Sequence, residues 1–345
     1  MTADRLTLAE RSGPIFEDQA LKPEILGNIG ARRGDRRGSQ FDLVNNFDSS
    51  RPSAEVGELD QIILKIGRPV LFVQNDGFAF PKELKDRESQ VLKERLEGAM
   101  EKIKPRIPSV GRINVQNNET FTWLSTGGLI AENIGVSNAH VVDEFAMKTA
   151  DERGYTFRQN FRCRSVSASI DVKVEFESPA RNEFQIDKVL FIGEKASSGN
   201  CDPDIALFRI SSLGSIGISK QGEPVPAVQG KPLGLADHPP DLRDQVTVIG
   251  YPAFDSRGPD ADLMRRIFGD DYDLKRLEPG TIMGVDDEFH VLRHDASTLG
   301  GNSGSVILDL ETGEAVGLHF AGSFLDLNYA VPAVTVRAVL HQFAE

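Results

Sequence analysis

From Ser109 onward, short apolar runs recur between glycine, asparagine and proline breaks. They fall at residues 111–115, 121–124, 135–141, 169–177, 185–192, 205–210 and 245–251, then at 281–285, 290–294, 305–308, 315–320 and 329–331. Runs of this length, bounded by turn formers, predict β-strands. About twelve of them over about 225 residues suit two packed barrels of six strands each. Residues 81–103 carry another period. Leu84, Leu92, Leu96, Met100 and Ile103 return at helical spacing, and the opposite face is almost wholly charged, which predicts an amphipathic helix. Pro81 suits its first turn, and Pro105 and Pro108 end it. A strand is predicted at 69–73 and a short closing helix at 337–343. The charged stretch 254–279, with Met264-Arg265-Arg266-Ile267-Phe268, predicts a long surface loop with one helical turn.

These patterns divide the chain into a flexible arm (1–55), a small packing or regulatory segment with one amphipathic helix (56–105), and an all-β domain (106–345). The extension as a whole reads as α/β or mostly irregular. Lys plus Arg number 39 against 52 Asp plus Glu, a net charge of -13, which argues against a nucleic-acid-binding face. The Arg-rich cluster at 32–37 reads as solvated surface. Two cysteines, Cys163 and Cys201, allow one disulfide at most and suit reduced thiols. The first residues include an acid and no apolar run of about 7–15 residues, and no stretch reaches the ~20 apolar residues of a membrane span. The expectation is a cytoplasmic protein with no membrane and no nucleic-acid partner. His238, His290, His294, His319 and His341 show no metal-site spacing with the cysteines, and no phosphate-cradling loop is present. No metal or cofactor is therefore expected.

Three segments carry candidate chemistry. Gly300-Gly301-Asn302-Ser303-Gly304-Ser305 puts a serine in a tight turn, where Gly301 would let its own N–H point inward beside that of Ser303 as an oxyanion hole. An ordinary glycine-rich turn fits the same residues. In Gly135-Val136-Ser137-Asn138-Ala139-His140, an apolar run delivers small residues and then His140, a candidate base, a surface residue or a satisfied core histidine. In Asp202-Pro203-Asp204-Ile205-Ala206-Leu207, Asp204 opens a buried run where an unpaired carboxylate would be costly. It either meets the Nδ1–H of His140 or caps a turn. Asp202 is the rival carboxylate.

Taken together, these motifs resemble those of the trypsin/chymotrypsin-like serine peptidases, in particular the disulfide-poor bacterial branch of glutamyl endopeptidases and Deg-type proteases. The separations of 64 and 99 residues (140 to 204, 204 to 303) suit a histidine and aspartate from one barrel and a serine from the other. The resemblance covers about residues 109–340. It implies an all-β, chymotrypsin-like double six-stranded barrel and a serine endopeptidase with His140, Asp204 and Ser303 as catalytic triad. It also implies that Thr298, His319, Phe320, Ala321 and Gly322 bind substrate, with the backbone at 317–322 pairing with the peptide as an added strand. A histidine and threonine at these positions imply a preference for Glu or Asp at the cleaved bond. An esterase using the same triad and a closed-cleft binding protein are the alternatives. A dedicated intracellular protein partner fits the extra segment, which makes the chain zymogen-like if it blocks the cleft and constitutively formed if it packs behind the barrels.

Overall fold

The computed structural model describes residues 68–78, 80, 87–193, 203–254, 261–286, 291–322 and 327–343. The predicted arm, the cluster at 32–37, Pro81, Leu84, Cys201, Asp202 and His290 lie outside the described residues. Two six-stranded antiparallel barrels form the fold. The first comprises β3 (Val110–Gln116), β4 (Trp123–Ala131), β5 (Ile134–Ser137), β8 (Ser167–Asp171), β9 (Arg181–Ile192) and β10 (Ala206–Ile218), and closes through the β9–β10 pair. The second comprises β12 (Gln245–Gly250), β13 (Arg276–Asp286), β14 (Val291–His294), β15 (Val306–Asp309), β16 (Ala315–Gly322) and β17 (Asn328–Pro332), and closes through β12–β13. Numbered by chain order within each barrel, both run first, second, third, sixth, fifth, fourth around the cylinder.

Each barrel encloses its own apolar cluster. Ile113, Leu129, Phe145, Ile170, Phe184 and Phe208 fill the first, and Val246, Val248, Ile282, Leu292 and Ile307 the second. A third cluster lies in the seam between them, where Val110, Ile130, Val136 and Leu207 meet Leu233, Val306, Leu308 and Leu318. The predicted amphipathic helix is observed as α1 (Arg87–Ile103), with Leu92, Leu96, Ala99 and Ile103 in that same seam cluster. Their spacing returns once per turn to one face, and each such side chain stabilises the seam by about 1.5–3 kcal/mol when fully buried. The closing helix α4 (Ala333–Leu340) adds Val336, Val339 and Leu340. Ahead of α1, β1 (Leu71–Gln74) extends the second barrel by pairing Leu71 with Leu277 and Phe72 with Arg276, and β2 (Gly77–Phe78) folds back on it. The short strands β6 (Ala146–Lys148) and β7 (Tyr155–Phe157) pair with each other, and β11 (Pro224–Val225) pairs with the end of β10. Among the described residues, no helix is long and apolar enough to cross a membrane.

Three local expectations are corrected. The described part of the stretch 254–279 is not a surface loop. It contains the helix α3 (Ala261–Phe268), whose Met264, Ile267 and Phe268 are buried with Val70 and Leu299, and its last residues already belong to β13. Spacings of three and four residues put those side chains on one helical face. The run 135–141 is not a single strand: β5 stops at Ser137, and a helical turn α2 (Ala139–Val142) carries His140. Residues 172–177 leave β8 in turns, where Lys173 N–H donates to the Asp171 carboxylate and Glu175 N–H to the Lys173 carbonyl.

Candidate active site

The Asp204 and His140 segments meet because β5 and β10 are paired from Ser137↔Ala206 to Ile134↔Arg209. Asp204 thus lies just before β10, and His140 just after β5. The Asp204 carboxylate takes the ring Nδ1 of His140 at 2.6 Å through Oδ2 and the His140 backbone N–H at 3.1 Å through Oδ1. Asn138 Nδ2 donates to the Asp204 carbonyl at 2.9 Å. A carboxylate only accepts, so the neutral imidazole carries its proton on Nδ1 and keeps the Nε2 lone pair. The imidazole and the carboxylate are 15% and 25% exposed, respectively, so the pair is reachable from solvent.

Ser303 sits on the turn before β15. Its carbonyl accepts from the Thr126 N–H at 3.1 Å and the Ser125 Oγ at 2.5 Å. Thr126, fully buried in β4, also donates through Oγ1 to the Gly301 carbonyl at 2.8 Å and accepts the Ser137 hydroxyl at its own carbonyl at 2.7 Å. Ser137 stands three residues before His140. One residue of β4 therefore ties the serine turn of the second barrel to the strand that delivers the imidazole of the first.

The turn requires its glycines. Gly301 has φ +89°, and a Cβ there would meet the Tyr251 carbonyl at 2.4 Å and the Trp123 ring at 2.9 Å. Gly304 has φ +79°, and a Cβ would meet the Thr126 carbonyl at 2.2 Å. Around the serine, the amides of Asn302, Gly304 and Ser305 donate to the carbonyls of Leu299, His319 and Asn302. Among the described residues, those of Gly301 and Ser303 donate to no backbone carbonyl. Asn302 is held from below, its Nδ2 donating to both oxygens of the fully buried Glu278 carboxylate at 3.0 and 3.2 Å.

The positions expected to bind substrate lie along this turn. His319 is fully buried in β16, whose backbone exchanges bonds with the serine turn: Gly304 N–H to His319 O at 2.8 Å and His319 N–H to Ser305 O at 2.9 Å. Phe320 is half-buried where the β16–β17 register shifts, and Ala321 and Gly322 are buried beyond it. Thr298 is fully buried, and its hydroxyl has no hydrogen-bond partner among the described residues.

Sequence reasoning set His294 aside as a metal ligand and did not place it beside His319, whose Nδ1 lies 3.1 Å from its Nε2. Burial, with His319 alongside, holds His294 well below the ordinary imidazole range, so it is neutral. The Ala296 N–H donates to His294 Nδ1 at 3.3 Å. The His294 proton is therefore on Nε2 and is donated to His319 Nδ1, which places the proton of a neutral His319 on its own Nε2. Alternation in Leu292-Arg293-His294 was the available signal, since it puts His294 on the same inward face as Leu292. Thr126 and Glu278 were also missed, because nothing local marks a strand residue that bonds to a distant turn.

A family model described as a trypsin-like peptidase domain matches residues 125–318, more than half of the 345 residues and the span that holds His140, Asp204 and Ser303. A probable serine protease of Lysobacter enzymogenes is 28% identical over 250 residues, covering 67% of this chain and 62% of that protein. The chain thus spans less than two thirds of that relative's length. Among solved structures, the Rv3671c protease of M. tuberculosis in an inactive form is 18% identical over 72% of this chain and 94% of that one, with a TM-score of 0.40. Mouse neuropsin, a serine protease, is 13% identical over 70% and 96%, with a TM-score of 0.45. This chain belongs to the trypsin-like peptidase family.

Proposed function

We propose that the protein is a serine endopeptidase that cleaves protein or peptide substrates through an acyl-enzyme. Ser303 attacks the scissile carbonyl while His140 Nε2 accepts its proton, Asp204 holds the ring, and the amides of Gly301 and Ser303 bind the tetrahedral oxyanion. His140 then protonates the leaving amine and activates the water that releases the acyl group. The observation that carries this reading is the grip of Asp204 on His140 through both ring and backbone, which fixes the tautomer a general base needs. The amides of Gly301 and Ser303, which donate to no backbone carbonyl among the described residues, support the oxyanion assignment. A covalent serine probe tests it: the intact chain labels and cleaves members of a peptide library, and Ser303→Ala does neither. Labelling that persists in Ser303→Ala would sink the assignment of the nucleophile.

A preference for Glu or Asp at the cleaved bond is the narrower reading. It is supported by the Thr298 hydroxyl, buried without a partner among the described residues, and by the tautomer chain that puts a donor on His319 Nε2. Two such donors suit a carboxylate. A library cleaved equally well after neutral and acidic residues removes this reading and leaves the peptidase intact.

A further inference from the structure

The segment that enters the described fold at Arg68 touches the second barrel at two points. Arg68 Nη1 donates to the Asp295 carboxylate, and its Nη2 donates to the Thr281 hydroxyl at 2.6 Å. Two residues on, Val70 is buried against Leu299 and the helix α3. Asp295 and Leu299 bracket Ser297 and Thr298, the stretch that runs into the serine turn.

Asp295 is only 2% exposed, while Arg68 is 22% exposed. The same carboxylate oxygen also accepts the Thr281 N–H at 2.8 Å, and the Asp295 N–H returns to the Thr281 carbonyl at 3.2 Å. A buried carboxylate in such a position needs its charge matched. The matching cation comes from outside the barrel, from a residue 227 positions earlier in the chain. On the other side, Asn328 Nδ2 holds the Ala296 carbonyl at 2.6 Å. The Thr298 side chain has no hydrogen bond of its own among the described residues. Its place is therefore set by the backbone on either side of it.

We infer that Arg68 is a positioning residue for substrate selection: the segment before the barrels builds the outer support of the substrate wall at 295–299. It acts on the peptidase site by holding Asp295, and through it Thr298, in register with the serine turn. This inference rests on the peptidase reading. It gives residues 68–70 a supporting role at the site, so their loss weakens discrimination between substrates.

The test uses the full chain with Arg68→Gln and Arg68→Lys, a peptide library varied at the cleaved position, and thermal unfolding in parallel. A displaced wall raises KM more than it lowers kcat. In Arg68→Gln, the ratio of kcat/KM between the best and the next-best cleaved residue is expected to fall by about tenfold, within the range that small misplacements produce. Arg68→Lys, which keeps the charge, recovers most of that ratio. An unchanged ratio in Arg68→Gln, whatever happens to its Tm, overturns the inference, as does an equal loss across all substrates. If Arg68→Gln fails to fold, Thr281→Val, which removes the hydroxyl that accepts from Arg68 Nη2, reports the same ratio in weaker form, and no change in it overturns the inference. An intact chain that cleaves nothing and takes no serine probe overturns the peptidase reading and this inference together. An active chain with an unchanged ratio overturns only the role of Arg68.

Discussion

The two barrels share one strand order but bury different things. The apolar cluster of the first is built around Phe145, Phe184 and Phe208, its strands bury a single charged residue, Asp171, and the His140–Asp204 pair stands at the rim. The second buries Lys275, Arg276, Glu278, His294, Asp295, His319 and Asn328 beside its apolar cluster. Most of these have partners that hold a loop or a neighbouring element. Glu278 holds Asn302, Asn328 holds Ala296, and Lys275 Nζ donates across the seam to the carbonyls of Val172 and Ile107 at 2.6 and 3.0 Å. A barrel that holds its neighbour's turn from one strand and carries a polar pair at its edge can be filled largely with hydrocarbon. One that has to hold a strained turn and a wall needs directional bonds, and burial makes each of those costly to lose.

This contrast sets the expected size of each perturbation. At the rim of the first barrel, Asp204→Asn should leave the fold intact and lower kcat by about 10³–10⁴-fold, because the imidazole loses the partner that fixes its tautomer. Steady-state kinetics beside an unchanged unfolding midpoint would show this, and a drop of less than tenfold would argue against the pairing as the working one. Inside the same barrel, Phe208→Ala should cost about 3–5 kcal/mol of stability in denaturant titration, by removing a fully buried ring from a close-packed cluster. In the second barrel, Asn302→Ala takes a donor from the buried Glu278 carboxylate and should cost about 1.5–3 kcal/mol. Unlike Phe208→Ala, it should lower kcat as well, since it loosens the turn that carries Ser303. Equal kinetic effects in the two variants would remove the distinction between the barrels.

Two smaller effects refine it. Burial draws the Lys275 ammonium down from 10.5 to about 8, with Glu175 and Asp76 opposing that shift. Below about pH 8, the group is charged in both folded and unfolded chains and adds no pH slope. Between about 8 and 10.5, the unfolded chain holds a proton the folded one has released, so stability rises with pH across that window. Lys275→Met should lack that rise when the two proteins are compared from about pH 7.5 to about 9.5, below the range where tyrosines ionise. Parallel curves would show that Lys275 stays charged in the fold. Thr126→Val keeps the backbone bond to Ser303 but loses the Oγ1 bridge between the Gly301 carbonyl and the Tyr251 N–H. We expect kcat/KM to fall by about tenfold, mostly through kcat, with a change in stability near 1 kcal/mol.

The chain's local periods were enough to determine that it makes short strands from 109 onward and an amphipathic helix ahead of them. Alternation and the helical repeat are set by backbone geometry and are written directly into which positions are apolar. The residue types also marked three segments for chemistry, and the fold brings two of them, at His140 and Asp204, into a hydrogen bond. Where α3 displaced an expected loop, the apolar face of Met264, Ile267 and Phe268 was present in the sequence, but its burial depended on Val70 and Leu299 arriving from elsewhere. Tertiary packing alone chose Arg68 for Asp295, His294 for His319, Glu278 for Asn302 and Thr126 for the serine turn. Those partners stand 227, 25, 24 and 175 residues apart. A buried polar group demands a partner wherever it sits, but strand register and barrel closure decide which one it meets, and neither can be read from local spacing.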